Sequence, residues 1–167
     1  RHGMLTVSEV IQKSSNVGTV KIAMQFEPDE MWHMFDRLGL GRPLPVRFPG
    51  SAGGVLRAAD TWKPIEQATM AYGHGISTTL MHMARAYLAF ARDGELLPVS
   101  LTRLDAAPGP QAQVFTPHTA RVMRTILEAA AGPGGTGPQA RVTGYRVAGK
   151  TGTAHKLEAG RYTNKYV

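Results

Sequence analysis

From Leu80 to Ala91 apolar residues return every three or four positions: Leu80, Met83, Ala84, Tyr87, Leu88 and Ala91. That spacing puts them on one face of an α-helix, so any fold must supply a surface for that face to pack against. Ser77 or Thr78 reads as the cap before the helix and Gly94 as the stop after it. Other segments carry the same kind of signal. Thr6 and Glu9 form a capping box ahead of the stripe Val7, Val10 and Ile11. That helix should stop at Lys13, because Ser14, Ser15 and Asn16 favour caps and turns over helix interiors. Asn16 or Ser15 then caps a second helix from Val17 to about Phe26, and a third runs from Pro28 to Leu38, with Gly39 past its end. A short helix is expected over Pro64–Ala71. Thr116-Pro117 opens a last one reaching Ala131, followed by Gly132.

The remainder is loop and a little strand. Arg42 to Ala59 and Gly132 to Gly144 are rich in Gly and Pro and read as loops. Leu96 to Leu104 reads as one strand. Tyr145 to Gly149 reads as a β-type run that Lys150 to Lys156 continues, with a turn at Glu158–Gly160 and a returning strand over Arg161–Val167. A lone hairpin is marginal in water, so the helices must carry the core and the sheet reads as incomplete. A chain of 167 residues with 43% hydrophobic and 19% charged content is long and apolar enough to bury such a core, which excludes a disordered polymer. No apolar run approaches the roughly 18 residues of a membrane helix. Cysteine is absent, which excludes disulfides and thiolate sites and leaves the compartment open. The net charge is +7, but the basic residues are scattered, dense only from Arg141 to Lys165, with no run of five. That pattern reads as a surface facing an anionic substrate or an acidic envelope rather than nucleic acid.

Three motifs could carry chemistry. Gly144 to Thr151 fits the phosphate-loop pattern G-x-x-x-x-G-K-T. Its context is wrong: loop precedes Gly144 where a strand is needed, and Gly152 and Thr153 come next where a helix must start. The same residues read better as a strand edge, where Lys150, Thr151 and Thr153 hold a carboxylate and Gly152 admits a substrate close to the backbone. Ser14-Ser15-Asn16 is the second motif. It is either a helix stop and cap, or a hydroxyl that shuttles a proton beside an amide that grips a peptide group. The hydroxyl would need a charged partner such as Lys150. Tyr72-Gly73-His74-Gly75 is the third, either a Gly-rich connection or a loop bordering a cleft. The six histidines show no metal-ligand spacing, and the methionines fall mostly in helices, where they read as packing.

Ser14-x-Asn16 followed much later by Lys150-Thr151-Gly152-Thr153 resembles the penicillin-binding proteins and serine β-lactamases. The stretches Leu5–Gly18, Tyr72–Gly75, Gly144–Ala154 and Gly160–Tyr166 look like the division-specific class B penicillin-binding proteins of type 3, in the family's order. The resemblance implies the α/β (α+β) penicillin-recognising transpeptidase fold, represented here by its helical portion, the Lys-Thr-Gly strand and the start of the next. It implies a D,D-transpeptidase that cross-links septal peptidoglycan through an acyl-enzyme, needs no cofactor or metal, and is trapped by β-lactams. Its partners would be D-Ala-D-Ala stem peptides and membrane proteins of the division machinery, at the periplasmic face of the inner membrane. Carried over, Ser14 relays a proton with Lys150, and Asn16 binds the donor amide and steadies the nucleophile's lysine. Thr151 and Thr153 hold the terminal carboxylate, and the Thr153 N–H gives half of an oxyanion hole. Ser15, Gly152, Tyr72 and Gly73 border the substrate.

One part of the family pattern is missing. The nucleophile sits in Ser-x-x-Lys upstream of Ser-x-Asn, and no lysine here has a serine three residues before it. Residues 1–167 therefore read as a partial transpeptidase domain, lacking that segment, the C-terminal strands and helix, the membrane anchor and the N-terminal module. A non-catalytic fragment that holds peptide or β-lactam or serves only as an interaction domain, or a D,D-carboxypeptidase, stands as the alternative.

Overall fold

Thr6 starts the first helix as its capping box requires: its hydroxyl accepts the Glu9 N–H at 3.3 Å, and its own N–H donates to the Glu9 carboxylate at 2.8 Å. The computed structural model describes residues 2–46, 48–153, 155–158 and 161–166, the last two segments as strand backbone. Helix α1 spans Val7–Gln12 and α2 spans Asn16–Ala23, capped by Ser15, whose hydroxyl accepts the Gly18 N–H. Helix α3 is Pro28–Arg37, α4 is Pro64–Met70, α5 is Leu80–Ala91 and α6 is Pro117–Ala131. The sequence placed these helices correctly to within a few residues. The cap of α5 is a correction: Thr79, not Ser77 or Thr78, accepts the His82 N–H. Ser77 is engaged instead in a two-bond bridge with Val55 across the Arg42–Ala59 loop.

The β content differs more. Strand β1 is only Glu95–Leu96, paired antiparallel with β2, Ala112–Gln113. The expected strand to Leu104 ends early because, among the described residues, no second strand pairs beyond Leu96. Arg85 instead reaches the Leu97 carbonyl at 2.7 Å. The Tyr145–Thr153 run forms no ladder among the described residues, since no neighbouring strand offers it hydrogen bonds. The ladder begins later, with β3 (His155–Glu158) against β4 (Arg161–Tyr166). The expected turn at Ala159 and Gly160, and Val167, lie outside the described residues.

Two packing centres set the positions of the helices. Ala89, Leu96 and Val114 are buried together, with Met34, Leu38 and Phe115 against them and Phe90 stacked on Phe115 at 4.8 Å. Helix α6 buries Ala120, Ile126, Leu127, Ala130 and Ala131 and takes α1 and α5 on its flanks. Two buried polar groups fix the helices further. Gln67 of α4 donates to the Phe26 carbonyl at 2.7 Å, beyond the end of α2. His82, fully buried, bonds Thr79 through Nδ1 and the Arg42 carbonyl through Nε2, so both ring nitrogens are satisfied in the core.

Gly18 shows how tightly α1 and α2 meet. A methyl group there would stand 2.5 Å from Cγ2 of buried Val10, a β-branched residue that cannot easily turn away. Alanine ordinarily gains about 1 kcal/mol over glycine inside a helix. Overpacking of about 1–3 kcal/mol outweighs that here. Gly18→Ala is therefore expected to lower stability in urea unfolding, and an added Val10→Ala change should return part of the loss.

Candidate active site

The turn between α1 and α2 builds the first half of the site. The Ser14 N–H bonds to the Ile11 carbonyl and the Ser15 N–H to the Val10 carbonyl. That double closure is a Schellman cap, with Lys13 as the last half-helical residue and Ser14 in the position glycine usually takes. Ser14 has φ of 53°, in the left-handed region that costs a side-chain-bearing residue roughly 1–2 kcal/mol. Ser15 serves at once as the end of this motif and as the cap of α2. The local caps thus hold one serine hydroxyl, exposed, between two helices. Asn16 comes next as the first residue of α2, also exposed, with no side-chain hydrogen bond among the described residues.

Helix α6 and the loop after it build the second half. The Gly149 N–H donates to the Leu127 carbonyl at 3.1 Å, pinning the Lys-Thr-Gly segment to the buried middle of α6. Arg146 pairs with Glu128 at 2.9 Å on the same helix, an exposed ion pair that aligns more than it stabilises. Lys150 reaches across the chain: its Nζ donates to Ser14 Oγ at 2.7 Å and to the Thr151 carbonyl at 2.8 Å, with a longer contact of 3.4 Å to Thr151 Oγ1. No carboxylate pairs with Lys150 among the described residues. Burial without a counter-charge pulls its pKa below the ordinary lysine value. A lysine that gives up its proton more readily, bonded to a serine hydroxyl, can pass a proton in either direction.

The predicted residues divide accordingly. Ser14, Lys150 and Thr151 are brought into contact, and Thr151 Oγ1 also meets Thr136 Oγ1 at 2.8 Å. Gly152 and Thr153 come after them, exposed and open to a ligand. Tyr72 and Gly73 lie in a loop where Tyr72 meets His74 edge-on at 5.4 Å; neither bonds to Ser14, Asn16 or Lys150 among the described residues. The phosphate-loop pattern is set aside by structure too, because the strand β3 rather than a helix follows Lys150-Thr151. Thr136 was not legible in the sequence. It stands in a Gly/Pro loop with no motif of its own, and only the fold of that loop over α6 brings it to Thr151.

The whole of residues 1–167 matches the family model described as the penicillin binding protein transpeptidase domain. The chain belongs to that family. Its likeness is to class B members: the transpeptidase domain of penicillin-binding protein 3 from Burkholderia pseudomallei superposes with a TM-score of 0.92 at 53% identity, over 98% of this chain and 50% of that one. Penicillin-binding protein 3 from Mycobacterium tuberculosis, solved in complex with aztreonam, gives 0.87 at 32% identity, over 99% of this chain and 42% of that one. The peptidoglycan D,D-transpeptidase FtsI of Escherichia coli strain K12 is 38% identical over 168 residues, all of this chain and 28% of that protein. The chain thus spans under a third of that curated relative's length. The fold is the mixed helix-and-sheet transpeptidase fold, with the helical part dominant among the described residues.

The geometry around Ser14 and Lys150 leads to two expected outcomes. Ser14→Gly and Ser14→Ala both remove the hydroxyl, but only glycine is at ease at φ of 53°. The glycine variant should be the more stable of the two by about 1 kcal/mol in urea unfolding. Nuclear magnetic resonance titration of labelled Lys150 should place its midpoint below the ordinary lysine value of 10.5.

Proposed function

We propose that this chain is the part of a septal peptidoglycan D,D-transpeptidase that carries its proton relay and its carboxylate receptor. The observation that carries the reading is the 2.7 Å bond between Lys150 Nζ and Ser14 Oγ, two residues 136 positions apart in the chain. In this reading a serine outside these 167 residues attacks the carbonyl carbon between the two D-alanines of a donor stem peptide. Its oxygen forms an ester to the penultimate D-alanine, the C–N bond breaks, and the terminal D-alanine leaves as an amine after gaining a proton. The amine of a neighbouring stem peptide then attacks the ester, loses a proton and restores the serine.

Each transfer needs a group that can accept and return a proton near pH 7. Serine alone cannot, and a fully solvated lysine holds its proton too tightly. Lys150, half-buried and bonded to Ser14, holds its proton less tightly than a solvated lysine. The exposed run Thr151, Gly152 and Thr153 suits the donor's terminal carboxylate: hydroxyls donate to it, and the nearby ammonium attracts it. Asn16, exposed at the start of α2, is assigned to the donor peptide amide and the nucleophile's lysine, and Tyr72 and Gly73 to the border of the cleft. β-Lactams that present a similar carboxylate beside a strained amide acylate the same serine. The mycobacterial relative was solved in complex with the β-lactam aztreonam, which supports β-lactam binding by a domain of this fold. The proposed setting is the periplasmic face of the inner membrane, among membrane proteins of the division machinery.

The test uses the full-length parent protein and a labelled penicillin. Lys150→Ala and Ser14→Ala are each expected to slow acylation by about 10²–10⁴-fold. An unchanged rate in either variant removes that residue from the relay. The isolated 167-residue chain, which holds no Ser-x-x-Lys, should give no stable adduct in intact-mass measurement.

A further inference from the structure

Among the described residues, Thr151 is the one threonine of the Lys-Thr-Gly-Thr run whose hydroxyl is already engaged by other side chains. Lys150 donates toward its Oγ1 from 3.4 Å, and Thr136 Oγ1 lies 2.8 Å away. Thr136 reaches this place through the Gly132–Gly144 loop, which is bound closely to the end of α6. The Gly137 N–H donates to the Ala130 carbonyl at 3.0 Å. A side chain at Gly135 would stand 2.2 Å from that same carbonyl, so only glycine lets the loop lie so close. Gly137 in turn lies against the Thr151 methyl group. Ala130 is itself 1% exposed, so the loop rests on a buried part of the helix. Thr136 is therefore held beside Thr151 by backbone contacts on both sides of it.

A hydroxyl has one proton to give and two lone pairs to receive with. When Lys150 and Thr136 both donate into Thr151 Oγ1, both lone pairs are used and the single Thr151 proton turns outward. An anionic carboxylate has only acceptors, so it binds this arrangement and not the reverse one, in which Thr151 gives its proton to Thr136. We infer that Thr136 is a positioning residue for the carboxylate of the donor peptide, acting through Thr151: its hydroxyl donates to Thr151 Oγ1 and thereby aims the Thr151 proton at the substrate's carboxylate. This rests on the proposed role of Thr151 as a carboxylate receptor and adds a residue outside the Lys-Thr-Gly-Thr motif.

The test compares a labelled penicillin bearing its free carboxylate with the methyl ester of the same penicillin, on the full-length protein. Acylation rates measured against concentration separate half-saturation from the limiting rate. Thr136→Val should raise the half-saturating concentration of the free acid by about three- to tenfold, the worth of one hydrogen bond, with the loss confined to that constant. Thr136→Ser should restore it, and the methyl ester should not distinguish Thr136→Val from the wild type. Equal losses with acid and ester, or no rescue by serine, would overturn the inference. Thr151→Val separates the two levels. If it weakens the free acid while Thr136→Val does not, Thr136 alone is dismissed. If neither variant affects the acid, the assignment of Thr151 to the carboxylate is lost with it.

Discussion

The Gly149-to-Leu127 hydrogen bond is the constraint on which the site depends. It ties an otherwise unladdered segment to the buried centre of α6, and α6 is also the surface on which α1 packs. Ser14 ends α1's cap and Lys150 is the residue after Gly149, so one helix sets both ends of a contact that spans almost the whole sequence. The Thr136 loop leans on the same helix three residues further along, through the Ala130 carbonyl. A shift of α6 would therefore move the serine, the lysine and the threonine pair together. Distances of this kind matter because proton transfer requires heavy atoms within hydrogen-bond reach.

The two halves of the relay are each held at some energetic disadvantage. Ser14 occupies a backbone conformation that glycine would adopt freely, and Lys150 is half-buried with no carboxylate beside it among the described residues. Both features reduce stability, and both serve the chemistry proposed. The left-handed turn carries the hydroxyl that Lys150 bonds, and burial without a nearby carboxylate makes the lysine's proton easier to release. Strain at a non-glycine φ is found most often where a side chain has a task that packing alone does not explain. The surrounding structure offsets it through the capping box at Thr6, the Ser15 cap and the close fit of Gly18 on Val10.

Most of the helical framework could be read from the sequence because its signals are local. A capping box at Thr6, Pro at the head of α3, α4 and α6, and the stripe along α5 depend on residues within one or two turns of each other. The strands were less legible for a matching reason. A strand exists only when a partner supplies its hydrogen bonds, and neither Val99–Leu104 nor Tyr145–Thr153 finds one among the described residues. The cap of α5 was misplaced because three hydroxyl residues stand in a row, and only the Val55 bridge decides that Ser77 is used elsewhere. Ser14 and Lys150 were found through their motifs, but that they touch is a property of α6. Thr136 has no sequence signal, since nothing local says that a Gly-rich loop will fold back onto Thr151.

The central claim is that Ser14 and Lys150 act as one unit. A double-mutant cycle on penicillin acylation, with Ser14→Ala, Lys150→Ala and the pair together in the full-length protein, measures this directly. Residues that act as a unit lose their shared contribution once, so the double variant should be no slower than the worse single variant within about threefold. Losses that multiply across the two changes would mean the 2.7 Å contact is a packing neighbour and not a proton path.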